Sequence, residues 1–503
     1  MPIATVCRRL ATTVLPLLLL ACGGGAPSPG TPAAGDSTGA GGPIVLITFS
    51  SLRADVVGGL GGLPGLTPNL DALIRQADWS GRAIATTSRS EPALASLWTG
   101  LRPWQHQVLH GGATLSPDLL TLAEALAAAG YSTAGFPGGP WYSQAEGFAQ
   151  GFETFDPADR GRGAGARLRG FGAGEARGRQ FVWVHIPEPQ APYVLRRRLL
   201  PRVERLGGLP RELPMRIRPL QLEPYFDPGV PLPEGKRRRF WAMYLLNVAW
   251  ADEKLGRLIE ALRGSGQWDR TLLAVAAVHG EEFGERGQIG HGGNLGRRLL
   301  EVPLVVKLPK EDGGRRIAVP KGERVAAARL WATLVEAAGG PAGHPTVPAA
   351  APSLFRPAPW PALSELYLTN GANVFSLVEG DWQLLWESRF APAEPGYYRA
   401  RYAALTGRQP DELFGRLRSA FATVPPLTGL VAEQPRLTLE RWETGAVGSR
   451  TVSDPRRTAE MARRLAAAWS TFVPGELASG LESRESGAGA GDTKSGETPG
   501  LPF

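Results

Sequence analysis

The stretch Ile44-Val45-Leu46-Ile47-Thr48-Phe49-Ser50 is an almost wholly apolar run that stops on a hydroxyl. Two more runs have the same form. Phe181-Val182-Trp183-Val184 ends at His185, and Leu272-Leu273-Ala274-Val275-Ala276-Ala277 ends at Val278-His279. Runs this short and this uniformly apolar predict strands buried on both faces of a parallel sheet, because a strand with one wet face would alternate apolar and polar residues. Ligands bind outside the carboxyl ends of the strands in an open α/β sheet, so Ser50, His185 and His279 are expected around one crevice.

Helical patterns lie between the runs. Ser116-Pro117 offers a cap and a first-turn proline, Leu119, Leu122, Leu126 and Ala129 follow at near-helical spacing, and Gly130 supplies a stop. Val248, Leu255, Ile259 and Leu262 predict a second helix before Gly264. Strands alternating with helices predict a layered α/β domain with a mostly parallel central sheet flanked by helices.

The amino-terminal region has a different character. Arg8-Arg9 precede Val14-Leu15-Pro16-Leu17-Leu18-Leu19-Leu20, an apolar stretch too short to span a bilayer, and Leu19-Leu20-Ala21-Cys22 has the form of a bacterial lipobox. Residues 1–21 are therefore expected to be a lipoprotein signal peptide, with Cys22 lipidated and 22–42 a Gly, Ala, Pro, Ser and Thr tether. Cys7 and Cys22 are the only cysteines, so after cleavage no intrachain disulfide can form and a conventional apolar core must hold the fold. The tail, 473–503, has too little apolar content to fold and is expected to be disordered. Formal net charge is +8, or +6 without Arg8 and Arg9. The densest basic runs, Arg196-Arg197-Arg198 and Lys236-Arg237-Arg238-Arg239, read as solvated surface, with acidic polymers or lipid head groups as the other candidates. Export to the cell envelope argues against nucleic acid as a partner.

Several segments, in order, carry a resemblance. Ile47-Thr48-Phe49-Ser50-Ser51-Leu52-Arg53-Ala54-Asp55, Thr67-Pro68-Asn69-Leu70-Asp71, Ser90-Glu91-Pro92-Ala93-Leu94-Ala95-Ser96-Leu97-Trp98-Thr99-Gly100, and His279 to Glu285 through Gly290-His291-Gly292, followed by Val302-Pro303-Leu304, resemble blocks of the sulfatases of the alkaline phosphatase superfamily. Asp381-Trp382-Gln383-Leu384-Leu385 resembles a strand of that family's small carboxy-terminal subdomain. The resemblance implies an alkaline phosphatase-like α/β domain over 43–345 and a smaller α+β subdomain over 346–472. It implies sulfate-ester hydrolysis by a formylglycine made from cysteine or serine, or phosphate-ester hydrolysis by an unmodified hydroxyl. Either nucleophile needs a divalent cation, calcium or magnesium, held by carboxylates.

Position by position, the implied site is stripped. Ser50 and Val278 stand where the family has metal-binding aspartates, while His279 keeps the neighbouring ligand position. Ser90 occupies the nucleophile position, but Leu94 replaces the arginine that maturation reads and Gln190 replaces a histidine. Glutamine donates a hydrogen bond yet transfers no proton at neutral pH. His291 matches a position that contacts the transferred group, and His106 falls in a weaker match. His110 and His344 match nothing and read as loop residues. Asp55, Glu281 and Glu282 could replace the lost ligands only if the backbone re-aims them; their ordinary reading is solvated surface. Ser90 reads mainly as the N-cap of a helix with Pro92 in its first turn.

These residues predict a metal-depleted pseudoenzyme anchored to a membrane through Cys22, with no resident cofactor and with a sulfated or phosphorylated ligand as the expected partner. An active sulfuric or phosphoric ester hydrolase with an altered site, or one using Ser90, His279 and His291 without metal, is the first alternative. A purely structural envelope lipoprotein is the second. The stretch from Asp159 to Gly178 has no counterpart in the family, and the substrate is not legible.

Overall fold

A computed structural model describes residues 41–139, 142–143, 146–159, 161–171, 179–227, 229–311, 314–340, 351–357, 360–367, 373–387, 436–442 and 449–470. The signal segment, Cys22, nearly all of the tether, His344 and the tail lie outside the described residues. In chain order the strands are β1 (Ile44–Phe49), β2 (Trp79–Ile84), β3 (Ser132–Phe136), β4 (Thr154–Phe155), β5 (Gln180–Ile186), β6 (Tyr193–Val194), β7 (Arg216–Ile217) and β8 (Leu272–Ala277). They continue with β9 (Glu282–Phe283), β10 (Ile289–Gly290), β11 (Glu301–Lys307) and β12 (Val325–Ala326). The carboxy-terminal strands are β13 (Ala362–Tyr367), β14 (Asn373–Glu379), β15 (Trp382–Glu387), β16 (Arg436–Trp442) and β17 (Ser449–Thr451).

The central sheet runs β12-β2-β11-β8-β1-β5-β3-β4, and of its strands only β11 is antiparallel to its neighbours. Every residue of β1, β5 and β8 is buried, as their unbroken apolar runs require. Thr48 lies opposite His185 on one side and Ala276 on the other, so the three strands end side by side. An aromatic layer backs this region, with Trp98 edge-on to Trp183 at 4.6 Å.

The long helix forms as its spacing predicts, over Glu234–Gly264, with Val248, Leu255, Ile259 and Leu262 all buried. The other helix does not start at Ser116. It spans Leu122–Ala128 and is capped by Thr121, whose Oγ1 accepts from Glu124 N at 3.2 Å while the Glu124 carboxylate accepts from Thr121 N at 2.9 Å. That reciprocal box outcompetes the Ser-Pro signal. Ser116 heads a turn instead, its carbonyl accepting from Leu119 N. Gly130, at φ 84, makes the exit that a side chain would resist.

The carboxy-terminal part is a five-stranded antiparallel sheet, β13 to β17 in sequence order. The helix Pro455–Ser470 lays Met461 and Leu465 on Leu363, Leu377, Leu384 and Leu439. This small α+β layer is hydrogen-bonded to the large one: Glu365 N donates to Thr86 O at 2.7 Å and Gln383 Nε2 to Leu295 O at 2.7 Å. The described residues from Gly41 onward accordingly group as one compact unit. The expected boundary at 345 falls outside the described residues.

Candidate active site

The sheet brings the two substituted strand ends together. Ser50 N donates to Ile186 O at 3.2 Å and Val278 N donates to Phe49 O at 2.9 Å, so both positions sit at the carboxyl edge of β1, β5 and β8. Val278 is 1% exposed and packs into the core. Ser50 Oγ lies 2.9 Å from His185 Nε2, and Thr48 Oγ1 lies 2.8 Å from His185 Nδ1. Thr48 Oγ1 also accepts from Trp183 Nε1 at 2.9 Å. Burial, then Lys254, pushes the His185 imidazole down to about 3, so it is neutral. Ser51 holds φ 53 in the left-handed region, and its buried Oγ has no hydrogen-bond partner among the described residues.

Ser90 is not an N-cap. The helix spans Ser90–Thr99, Arg89 occupies the cap position, and the Ser90 side chain turns into the crevice instead of back onto the helix. Its Oγ lies 2.8 Å from His279 Nε2. His279 Nδ1 lies 2.7 Å from Gly280 O, which can only accept, so Nδ1 carries the proton and Ser90 donates to Nε2. Burial, followed by the neighbouring His291, holds the His279 imidazole well below its usual range.

A residue that no motif signalled completes the group. The Tyr142 side chain lies beside Ser50 and Ser90, and its ring stands edge-on to His185 at 4.8 Å. Burial, followed by the charge of Glu91, raises its pKa far above the phenol range, so it stays a neutral O–H. Tyr142 follows no apolar period and sits in a loop, which is why sequence pattern could not place it.

His291 reaches the same crevice. Its Nδ1 donates to Glu281 Oε1 at 2.8 Å, its Nε2 lies 3.2 Å from the Gln190 amide nitrogen, and its ring centre is 4.3 Å from that of His279. A carboxylate can only accept, so Nδ1 bears the proton and Nε2 accepts from Gln190. Glu281 is 1% exposed and its Oε2 accepts from Tyr193 at 3.3 Å. It is thus a buried orienting carboxylate, contrary to the surface reading. Glu91, beside Ser90, has its carboxyl raised by burial and by Glu146.

The other candidate ligands point elsewhere. Asp55 is gripped by Arg53 at 2.7 and 2.8 Å and by Arg298 at 2.6 Å. Burial alone would raise it, but the two guanidinium groups hold it at about 2. Glu282 is buried rather than solvated, accepts from Asn294 at 2.8 Å, and is pushed up to about 7 by that burial. Leu94 is fully buried in the core. His106 is a brace: Nδ1 accepts from Val108 N at 3.1 Å and Nε2 donates to Ser96 Oγ at 2.9 Å. His110, half-buried, donates to Gly111 O at 3.2 Å. Among the described residues no group of three or more His, Cys, Asp or Glu is placed to hold a metal ion.

The order of the sheet, with an antiparallel small layer behind it, defines the alkaline phosphatase-like class. Comparison with known proteins places the chain within it: a family model described as Sulfatase matches residues 43–161 and 178–340, and the chain belongs to the sulfatase family. Choline-sulfatase of Rhizobium meliloti is 27% identical over 303 residues, which are 48% of this chain and 58% of that one. A multifunctional alkaline phosphatase superfamily protein, PehA of Trinickia caryophylli, is 35% identical over 79 residues, 16% of this chain and 15% of PehA. The chain thus matches well under two thirds of either relative's length. Among solved structures, the phosphonate monoester hydrolase of Agrobacterium radiobacter superposes with a TM-score of 0.53 at 20% identity, covering 82% of this chain and all of that one. A structure in complex with its substrate, D-glucosamine-2-N,6-O-disulfate, superposes with a TM-score of 0.54 at 15% identity, covering 76% of this chain and 99% of that one. These likenesses establish the fold.

Proposed function

We propose that this sulfatase-family protein is a pseudoenzyme of the cell envelope, held to a membrane by a lipid on Cys22, whose crevice receives an anionic group without hydrolysing it by a metal-dependent route. One observation carries the reading: at the edge where the two substituted strand ends meet, Ser50 Oγ lies 2.9 Å from His185 Nε2 and Val278 is packed into the core. Where the family's chemistry calls for carboxylates, this crevice offers neutral hydroxyls and two neutral imidazoles. Hard divalent cations select oxygen ligands that carry charge, so this donor set does not fit calcium or magnesium. Proton transfer is blunted as well, since His279 is buried without a carboxylate to stabilise its charged form. An anion would be met by the Gln190 amide and by backbone N–H groups at the start of the helix Ser90–Thr99.

A second reading has its own observation. Ser90 Oγ donates to His279 Nε2 at 2.8 Å with Nδ1–H fixed on a carbonyl, an arrangement in which Ser90 could attack an ester and pass its proton to His279. Elemental analysis of the full-length chain, with turnover of aryl sulfate and phosphate esters by wild type and Ser90→Ala, separates the two. We expect substoichiometric metal, no Ser90-dependent turnover, and a rise in Tm with sulfate. Stoichiometric metal with turnover lost in Ser90→Ala would overturn the pseudoenzyme, whereas metal-free turnover lost in both Ser90→Ala and His279→Ala would establish the second reading.

The phenol has a direct check. Tyr142→Phe removes one buried hydroxyl while Ser50 keeps His185 and Ser90 keeps His279, so it should cost no more than about 1 kcal/mol in urea unfolding. A loss above about 2 kcal/mol would mean that the two serines depend on the phenol.

A further inference from the structure

Most of the chain's charge surplus is concentrated in one segment. Residues 195–222 hold eight arginines against two glutamates, a balance of +6 in a protein whose total is +8. Of the arginines, Arg197, Arg198, Arg205, Arg211, Arg216 and Arg218 are exposed. The same segment carries two of the three large hydrophobic side chains that stand exposed among the described residues, Met215 at 62% and Leu220 at 46%. Single exposed apolar residues are ordinary on soluble proteins. Their coincidence with the densest positive charge is not ordinary.

Contacts make the segment one surface. β6 and β7 pair Val194 with Arg216, Leu195 N donates to Met215 O, and Arg197 Nη2 donates to Met215 Sδ at 3.7 Å. The surface continues onto the long helix at Trp250, where the guanidinium carbons of Arg196 and Arg257 lie 4.6 and 4.7 Å from the ring centre. Among the described residues neither of these two side chains has an ion pair or a hydrogen bond. Two unneutralised forks on one indole form a clamp for oxyanions.

We propose that this face docks on a bilayer rich in anionic phospholipid, with the arginines on head-group phosphates and Met215 and Leu220 at the acyl boundary. A soluble sulfated or phosphorylated polymer would satisfy the arginines but gives the exposed apolar side chains nothing to bury against. Arginine, tryptophan and apolar tips together are the composition of a membrane interface. The attraction acts within about a Debye length, roughly 10 Å at 0.1 M salt, so the face must touch the surface to be held.

The test uses the full-length chain and sedimentation with vesicles of phosphatidylcholine alone or mixed with phosphatidylglycerol. Any contribution of residues 1–42 is common to every variant. Among the described residues Arg197, Arg216 and Arg218 form no ion pair, so Arg197→Ser/Arg216→Ser/Arg218→Ser strips charge without orphaning a described carboxylate. At about 1 kcal/mol per cation near an anionic surface, the triple variant should bind mixed vesicles roughly 100-fold more weakly and neutral vesicles as wild type does. Met215→Ser/Leu220→Ser should weaken the binding that persists at high salt. The proposal is overturned if wild type shows no preference for anionic vesicles, if the triple variant with native circular dichroism binds them unchanged, or if wild type binds dextran sulfate but not vesicles.

Discussion

Arg53→Met should lower the stability of this protein by roughly 3 kcal/mol, a large fraction of the margin of a typical domain. Arg53 is 2% exposed and uses its whole fork: two bonds to Asp55, one to Glu285 at 2.6 Å and one to Glu281 O at 3.1 Å, with Trp241 under the guanidinium at 4.9 Å. Methionine keeps the volume and the apolar contact but strands two carboxylates. Those carboxylates are 23% and 19% exposed, so water softens the loss. Arg298 also remains on Asp55. Arg53→Lys should recover little, because one ammonium cannot reproduce a planar fork. The readout is the urea midpoint at constant slope. A loss below about 1 kcal/mol would mean that the network is not what fixes the chain beyond β1.

Acid should unfold the protein steeply below about pH 4.5. His106 and His185 are pushed to about 3 by burial, and His279 well below its usual value, so all three stay neutral in the fold while the unfolded chain protonates them near 6.5. Their contribution is complete above 6.5 and is lost as pH falls through the folded values. Three carboxyls oppose this at first. Glu282 is raised to about 7 by burial, Asp252 to about 6 chiefly by burial, and Glu91 in the same direction and for the same reason, so each holds a proton in the fold that the unfolded chain releases above its ordinary value. Between about 4.5 and 6.5 the two sets nearly cancel. Below that window the unfolded carboxyls are protonated too, and the histidines are joined by Asp55, which the fold holds at about 2. Stability should then fall by about 3 kcal/mol per pH unit, the slope of roughly two protons taken up on unfolding. His106→Gln should remove about one of them. A midpoint that declines evenly from pH 7 to 4 would contradict the burial of these rings.

The fold was legible because its central strands are buried on both faces, which leaves an unbroken apolar run that nothing else in the chain imitates. Ser50, Ser90, His279 and His291 were legible as candidates because they fall, in order, in the blocks that resemble the family's. What failed were local readings that depend on competition. Ser116-Pro117 is a sound helix start until Thr121 and Glu124 form a better one, and Ser90 is a sound cap until His279 takes its hydroxyl. Glu281 and Glu282 read as surface because two adjacent acids usually are; at the start of β9 they take different partners, His291 and Asn294, and both are buried. Tyr142 was invisible, since its role exists only once distant strand ends are brought to it.

The pairing of Ser50 with His185 and of Ser90 with His279 has a consequence for how the molecule is completed. Carboxylates gathered at one point repel one another until a counter-ion arrives, so a site built from them is finished only after the chain has folded around something else. Here the facing groups are two hydroxyls and two uncharged rings, each supplying what its neighbour lacks. The innermost part of the crevice therefore needs no cation to bring its facing groups together.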